Sequence, residues 1–320
     1  MNSEPLLSIC IPTYNRSELL KNNVLELIKE IRPFNLPILI SDNNSTDGTT
    51  QTVELLKKEY QNIIYYKQST NISDLNFPFI LKKTTTKYAW LLGDKNRIIP
   101  GAIGKILQLV NNDAFDAIIV NCNPARVKSI PTKVYIQPED LLYDLGWHAT
   151  MISTLIFSEE LIGNAPFERY SSTKFMHVAG LFDAIANTNC KVLWLNEPFI
   201  QGPDVSVKND WLKDVFPVFF DSWANSIMSL SPAYPLNVKL HCIKQHGSKS
   251  KVFIFERFIF YRSKKIFNFK TFINHYAYFP LFTNVPRTFL LFILFFPSWF
   301  FAIMYFLLAK YRKLIVKEHF

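Results

Sequence analysis

Apolar and polar positions along the first 120 residues fall into short runs separated by longer stripes. Runs at 7–12, 37–41, 63–66, 88–92 and 117–121 have the length and branched composition of buried strands. Between them, 18–31, 49–60, 77–85 and 101–111 keep helical spacing. In the first stripe Leu19, Leu20, Val24, Leu27, Ile28 and Ile31 share one face; Ser17 stands before it as a cap and Pro33 after it as a stop. This alternation predicts an α/β fold, a doubly wound and mostly parallel sheet flanked by helices. After Pro124 the rhythm loosens. Residues 127–136 read as an edge or a loop, 138–145 and 174–187 as helices, and 192–195 and 199–200 as strands. The stretch 211–229 is helical in pattern, and from 250 onward basic and aromatic positions interleave.

Charge divides the chain again. Lys239 to Phe320 hold 14 Lys and Arg against Glu256 and Glu318, so this stretch carries +12 of a net +9 and the remainder carries −3. Such asymmetry points to a nucleic acid or a membrane surface. The aromatic content of 15%, with 29 Phe, favours the membrane: anionic headgroups attract the basic groups while rings bury below them. Nucleic acid is not expected as a partner. Residues 288–309 are uncharged and long enough to cross a bilayer, but Pro297-Ser298 interrupts them. A single span would leave Lys310, Arg312, Lys313 and Lys317 on the wrong side of the positive-inside rule. An in-plane or re-entrant dock is the preferred reading; a true span and a soluble interface between subunits stay open. Cys10, Cys122, Cys190 and Cys242 form no Cys-x-x-Cys pair and read as isolated thiols in a reducing compartment. The first apolar run is only a strand long, so no signal peptide is expected and the first part of the chain is placed in the cytosol. With only 9 Gly, a Gly-rich phosphate loop is not expected.

Candidate chemistry sits where the first two strands stop. Pro12-Thr13-Tyr14-Asn15-Arg16 offers a hydroxyl, an aromatic face, an amide and a guanidinium; Asp42-Asn43-Asn44-Ser45 and Asp47-Gly48 close the second strand. In a parallel sheet such ends meet at the carboxyl edge, where ligands bind. The groups suit a base, a ribose and phosphates, with Asp42 able to accept the N3–H of a uracil ring. Either cluster alone also fits an ordinary strand-to-helix turn.

Together, Ser8-Ile9-Cys10-Ile11-Pro12-Thr13-Tyr14-Asn15-Arg16 and Ser41-Asp42-Asn43-Asn44-Ser45-Thr46-Asp47-Gly48-Thr49 resemble the opening of family 2 glycosyltransferases with the GT-A fold. Asn71 with Asp74 and Asn76, then Trp90-Leu91-Leu92-Gly93-Asp94, resembles the abequosyltransferase-like branch of surface-polysaccharide enzymes. The resemblance covers residues 6–121 well, weakens to about 200 and is not claimed beyond. It implies a nucleotide-sugar-binding half at 1–124 and an acceptor-binding half at 125–238; the charge and aromatic pattern adds a basic, helical, membrane-associating region at 239–320. It implies transfer of a sugar, with inversion, from a nucleotide diphosphate donor to a lipid-linked glycan at the cytoplasmic face of a membrane. Pro12, Thr13, Tyr14 and Arg16 would line the donor pocket, Asp42 and Asn44 would sit at the base, and Asn71 and Asp74 at the ribose and diphosphate. Gly93-Asp94-Lys95-Asn96 falls where the family carries its metal motif, and Lys95 replaces an expected carboxylate.

Three readings of that replacement stay open. Asp94 and Asn96 hold Mg²⁺ or Mn²⁺; Lys95 neutralises the diphosphate directly; or the site is impaired and the chain is an assembly subunit. An inverting transfer also needs a general base. Asp183 and Glu168 are the candidates, with His177 behind them; Trp147, Trp194 and Trp211 are of a type that stacks on sugars but more often fills a core.

Overall fold

A computed structural model describes residues 5–122, 127, 129–202 and 212–307. Strand β1 (Leu7–Thr13) lies at the centre of its sheet and is buried along its whole length. It pairs in parallel with β2 (Ile38–Asp42) on one side and β4 (Tyr88–Leu91) on the other, and β3 (Ile63–Lys67) extends the parallel set beyond β2. A strand buried on both faces must be apolar throughout, as in Leu-Ser-Ile-Cys-Ile here, where the lone Ser8 hydroxyl is tied to Thr86 at 2.7 Å. Helices α1 (Ser17–Ile31) and α2 (Thr49–Glu59) pack on this half, and Leu20, Val24, Leu27, Ile28 and Ile31 of α1 are buried as their spacing requires.

The sheet continues past β4 in the order β8, β6, β9, β7, where β6 is Ala117–Asn121, β7 Lys133–Tyr135, β8 Leu155–Ser158 and β9 Val192–Pro198. Strand β8 runs antiparallel between β4 and β6, and β7 runs antiparallel at the edge beside β9. A two-stranded ribbon, β5 (Arg97–Ile98) with β10 (Ile200–Gln201), stands apart from the main sheet. The expected α/β architecture is present. The insertion of β8 was not expected: a four-residue, fully buried apolar run carries no mark of its direction.

The described residues form two units, one running up to 202 with Ser229–Pro235, the other from 212 to Met228 and from Leu236 on. The boundary expected at 238/239 falls inside helix Leu236–Lys249 of the second unit, and the one expected near 124 falls inside the eight-stranded sheet. A seven-residue return, 229–235, is fixed to the first unit by Ser231 N–H on Asp183 and the Tyr234 hydroxyl on the Phe182 carbonyl. No composition shift marks such a return.

The second unit has a core of rings. Phe216 lies against Phe220, Phe253 and Phe267, and Phe220 stacks on Phe282 at 4.6 Å. No helix among the described residues is long and apolar enough to cross a membrane. Arg287–Leu294 and Ser298–Leu307 pass together on length and composition but are bent by 108°. Pro297 stands at the break, where a ring without an N–H ends one helix and starts the next. Trp211, Lys310, Arg312, Lys313 and Lys317 lie outside the described residues.

Gly247 sets the packing of this unit. A Cβ there would lie 1.8 Å from the Phe282 carbonyl oxygen, which is backbone and has little freedom to move. Gly247→Ala is therefore expected to destabilise the second unit by about 2 kcal/mol or more, the range of overpacking in a tight core. Calorimetric unfolding of the full chain would register it as a lowered transition; an unchanged transition would contradict this packing.

Candidate functional site

Because β1, β2 and β4 are parallel, their carboxyl ends share one edge, and the loops that follow them build the site. The first two loops are joined. Asn15 and Asn44 adopt left-handed backbones at φ 51° and 63°, a region Asn tolerates better than most residues. Asn15 donates its N–H to Ser45 Oγ at 2.8 Å and accepts from Thr46 N on Oδ1 at 2.8 Å. Asp47 accepts from Ser17 N at the start of α1 at 2.9 Å, and the Thr49 hydroxyl also donates to it. Burial acts against these bonds, but together they draw the Asp47 carboxyl below its usual range.

A third loop closes the wall. Asn43 accepts from Ile72 N and donates to the Ser73 carbonyl, and Ser73 is itself left-handed at φ 53°. Asn76 donates to the Ser41 carbonyl and accepts from its hydroxyl. The result is a cleft of about 270 Å³ lined by Pro12, Thr13, Tyr14 and Arg16 from the first loop, Asn43 from the second, and Asn71, Ser73, Asp74, Asn76 and Phe77 from the third. Tyr14 stands at it with 43% exposure.

Behind the cleft lies Asp94, 4% exposed. Its Oδ1 accepts from Arg16 Nη1 at 2.8 Å and its Oδ2 from the Thr13 hydroxyl at 2.9 Å, while Asn23 Nδ2 donates to its carbonyl at 2.6 Å. Burial pushes the carboxyl above its usual range; Arg16, then Thr13, and more weakly Lys95, oppose that shift. The antiparallel course of β8 brings its amino end to the same edge. There the Ser153 hydroxyl accepts from Gly93 N at 2.9 Å and donates to Asn96 Oδ1 at 3.1 Å. Ser153 was not foreseen, because its place depends on the direction of β8.

Several expectations change. Asp42 is 0% exposed, and both its carboxylate oxygens have donors: Ser45 N and the Tyr65 hydroxyl. Its carboxylate shapes the second loop through these bonds. Asn44 makes the turn rather than lining the cleft. Asp94 and Asn96, the expected metal pair, are engaged within the fold: Asp94 accepts from Arg16 and Thr13, and Asn96 Oδ1 accepts from the Ser153 hydroxyl. Among the described residues no group of three His, Cys, Asp or Glu side chains is arranged to hold a metal.

The base candidates are also committed elsewhere. Asp183, on helix Met176–Ile185, accepts from Arg169 Nη1 at 2.7 Å and from Ser231 N at 2.9 Å. Glu168, with 59% of its side chain exposed, pairs with Lys82, and that bond lowers its pKa. Neither lines the cleft. His177 stands closer to it, edge-on to Phe77 at 5.8 Å, with Nε2 on the Thr150 carbonyl. Trp147 and Trp194 are core, with His148 packed between them and each indole N–H on a backbone carbonyl.

Fold and site together define a GT-A domain that presents a polar cleft at the carboxyl edge of its sheet. Residues 8–163, just under half of the chain, match the model of glycosyl transferase family 2. It is 27% identical over 221 residues to the abequosyltransferase RfbV of Salmonella typhimurium, covering 61% of this chain and 66% of that protein. It is 30% identical over 123 residues to a GalNAc(5)-diNAcBac-PP-undecaprenol β-1,3-glucosyltransferase of Campylobacter jejuni, covering 37% and 38%. The chain thus spans less than two thirds of the length of these curated relatives. In fold it is similar to Staphylococcus aureus TarS 1–349 in complex with UDP, with a TM-score of 0.56 at 18% identity over 78% of this chain and 74% of that one. It is also similar to the mannosyltransferase PcManGT of Pyrobaculum calidifontis in complex with GDP-Man and Mn²⁺, with a TM-score of 0.54 at 12% identity over 78% and 75%.

Two outcomes follow from the committed side chains. Asp183→Asn weakens the hold of Arg169 and is expected to cost about 1–2 kcal/mol, seen as a lower melting temperature. Its kcat should stay near that of the wild type; a large loss of kcat at unchanged melting temperature would make Asp183 the base after all. His177 is fully buried, and burial draws its pKa from 6.5 to about 4. Its neutral form is favoured by folding, so the contribution is present above pH 6.5 and lost as pH falls toward 4. Over that window the wild type should lose about 3 kcal/mol relative to His177→Gln, measured by denaturant unfolding. Parallel curves for the two proteins would refute it.

Proposed function

We propose that this chain transfers one sugar from a nucleoside diphosphate donor to a lipid-linked glycan in the assembly of a surface polysaccharide, with inversion. The observation that carries the proposal is the cleft backed by the Arg16–Asp94 pair, open beside an exposed tyrosine ring. Its relatives support the reading: one is named for transfer of abequose, another for transfer onto an undecaprenol diphosphate-linked glycan.

In this reading the Tyr14 ring offers a face to the base, and Asn71 and Asp74 border the ribose. Burial raises the Asp74 pKa, and Lys174 at 3.2 Å opposes the rise. Arg16 and Lys95 stand at the diphosphate. As the acceptor hydroxyl attacks the anomeric carbon, the bond to the diphosphate breaks and negative charge grows on the leaving oxygens. Cations already in position stabilise that charge without rearrangement. Asp94 holds the Arg16 guanidinium in place, so the arrangement favours Arg16 and Lys95 over Mg²⁺ or Mn²⁺ as the source of positive charge. Donors of this kind are cytosolic, and the bent apolar pair at Arg287–Leu294 and Ser298–Leu307 suits a dock in the cytosolic leaflet.

Lys95→Ala is expected to lower kcat about 10²-fold with little change in donor binding, the scale seen when one preorganised charge-stabilising group is removed. Transfer by the wild type should persist in chelator, assayed with a panel of nucleotide sugars. Abolition by chelator with recovery on adding Mn²⁺ would overturn the charge assignment. No turnover of any donor, with no nucleotide binding by calorimetry, would reduce the chain to a non-catalytic subunit.

A further inference from the structure

The second unit contains a larger cavity, of about 680 Å³, that no part of the donor reading uses. Its walls are mainly apolar, from Phe253, Phe255, Phe282, Val285, Pro286 and Phe289. The volume falls in the range of sites for small organic ligands. Two charged residues line it. Lys244 is exposed, and Glu256 already has a partner within the fold.

What sets this cavity apart is its continuation. Phe255 meets Phe289 at 5.2 Å between ring centroids, Phe289 meets Phe292 at 6.2 Å, Phe292 meets Phe296 at 5.0 Å, and Phe296 meets Phe300 at 5.7 Å. The ladder starts in the cavity wall and runs along Arg287–Leu294 across the bend into Ser298–Leu307. Phe292, Phe295, Trp299, Ile303 and Phe306 are each more than half exposed along the same pair. A soluble surface seldom leaves so many large apolar side chains in water side by side. A hydrocarbon chain lying among them could reach the cavity without crossing a polar surface. Charge is complementary as well: Lys244 stands at the cavity, in a region carrying +12, so a chain with an anionic head suits it better than a neutral one.

We propose that this cavity holds the isoprenoid units next to the diphosphate of the lipid-linked acceptor, with Lys244 on the phosphates and the aromatic ladder guiding the chain in from the bilayer. The inference rests on the acceptor class given under the proposed function. The cavity then recognises the lipid of the acceptor separately from its sugars.

The test uses the full chain in detergent micelles and a short polyprenyl phosphate bearing a diazirine on its second isoprene unit. Labelling is expected on the peptide containing Val285 and Phe289, to be competed by unlabelled polyprenyl phosphate and not by phosphatidylglycerol. Val285→Trp, which fills the cavity, should cut labelling at least fivefold and leave nucleotide binding by calorimetry unchanged. The same variant should raise KM about tenfold for a polyprenyl-linked acceptor and leave KM unchanged for the same glycan on a hexyl group. Labelling elsewhere, equal competition by phosphatidylglycerol, or an equal KM change for both acceptors would overturn the proposal. Specific labelling by a protein that transfers sugar to no lipid-linked acceptor would instead overturn the acceptor class and leave a lipid site.

Discussion

The buried pair between Asp94 and Arg16 is the constraint on which the first unit's working edge depends. It joins the end of β4 to the loop after β1 at 2.8 Å, and the Thr13 hydroxyl makes the same junction from the last residue of β1. Taking a carboxylate out of water is costly, and a partner with additional hydrogen bonds offsets that cost. Asp94 has three donors on its side chain and carbonyl, and α1 supplies one of them through Asn23. The pair therefore fixes the height of α1 against the sheet edge as well as the direction of a guanidinium. With 33% of its side chain exposed, Arg16 keeps a face toward solvent. A charge that is both anchored and accessible is what a diphosphate leaving group needs.

Around that junction the loops hold one another by short polar side chains rather than by glycine. Asn15, Asn44 and Ser73 supply the left-handed turns, and Asn43 and Asn76 tie the third loop to the second strand. Such side chains can satisfy backbone groups locally, so these turns need no glycine. The scarcity of glycine then has a structural counterpart: the cleft is framed by side chain to backbone bonds.

Legibility in the sequence followed the range of the interactions. The first four parallel strands, α1 and the two loop clusters could be read because each is marked by neighbours within a few residues: an apolar run, a helical stripe, an Asx turn. The expected Ser17 cap was not found, for Ser17 is the first residue of α1 and its N–H is met by Asp47. The direction of β8, and with it the arrival of Ser153 beside Gly93, depends on pairing across more than sixty residues and leaves no local pattern. The partners of Asp183 were hidden for a related reason. Its position on the rim of a helix was visible, but Arg169 and the returning segment at Ser231 were not. At Asp42 the motif was visible, but the Tyr65 hydroxyl that reaches it from the neighbouring strand β3 was not. In the second unit the ring content was plain from composition, but periodicity cannot show which rings meet which.

The replacement at residue 95 can now be weighed against its surroundings rather than against a motif. Asp94 already accepts from the Arg16 guanidinium and the Thr13 hydroxyl, so any further cation would share the carboxylate with them. Lys95 lowers the cost of keeping Asp94 ionised. A lysine confers less geometric control than a metal, because a flexible ammonium does not fix oxygens at set angles. The Asn and Ser hydrogen bonds around the cleft hold its walls independently of residue 95.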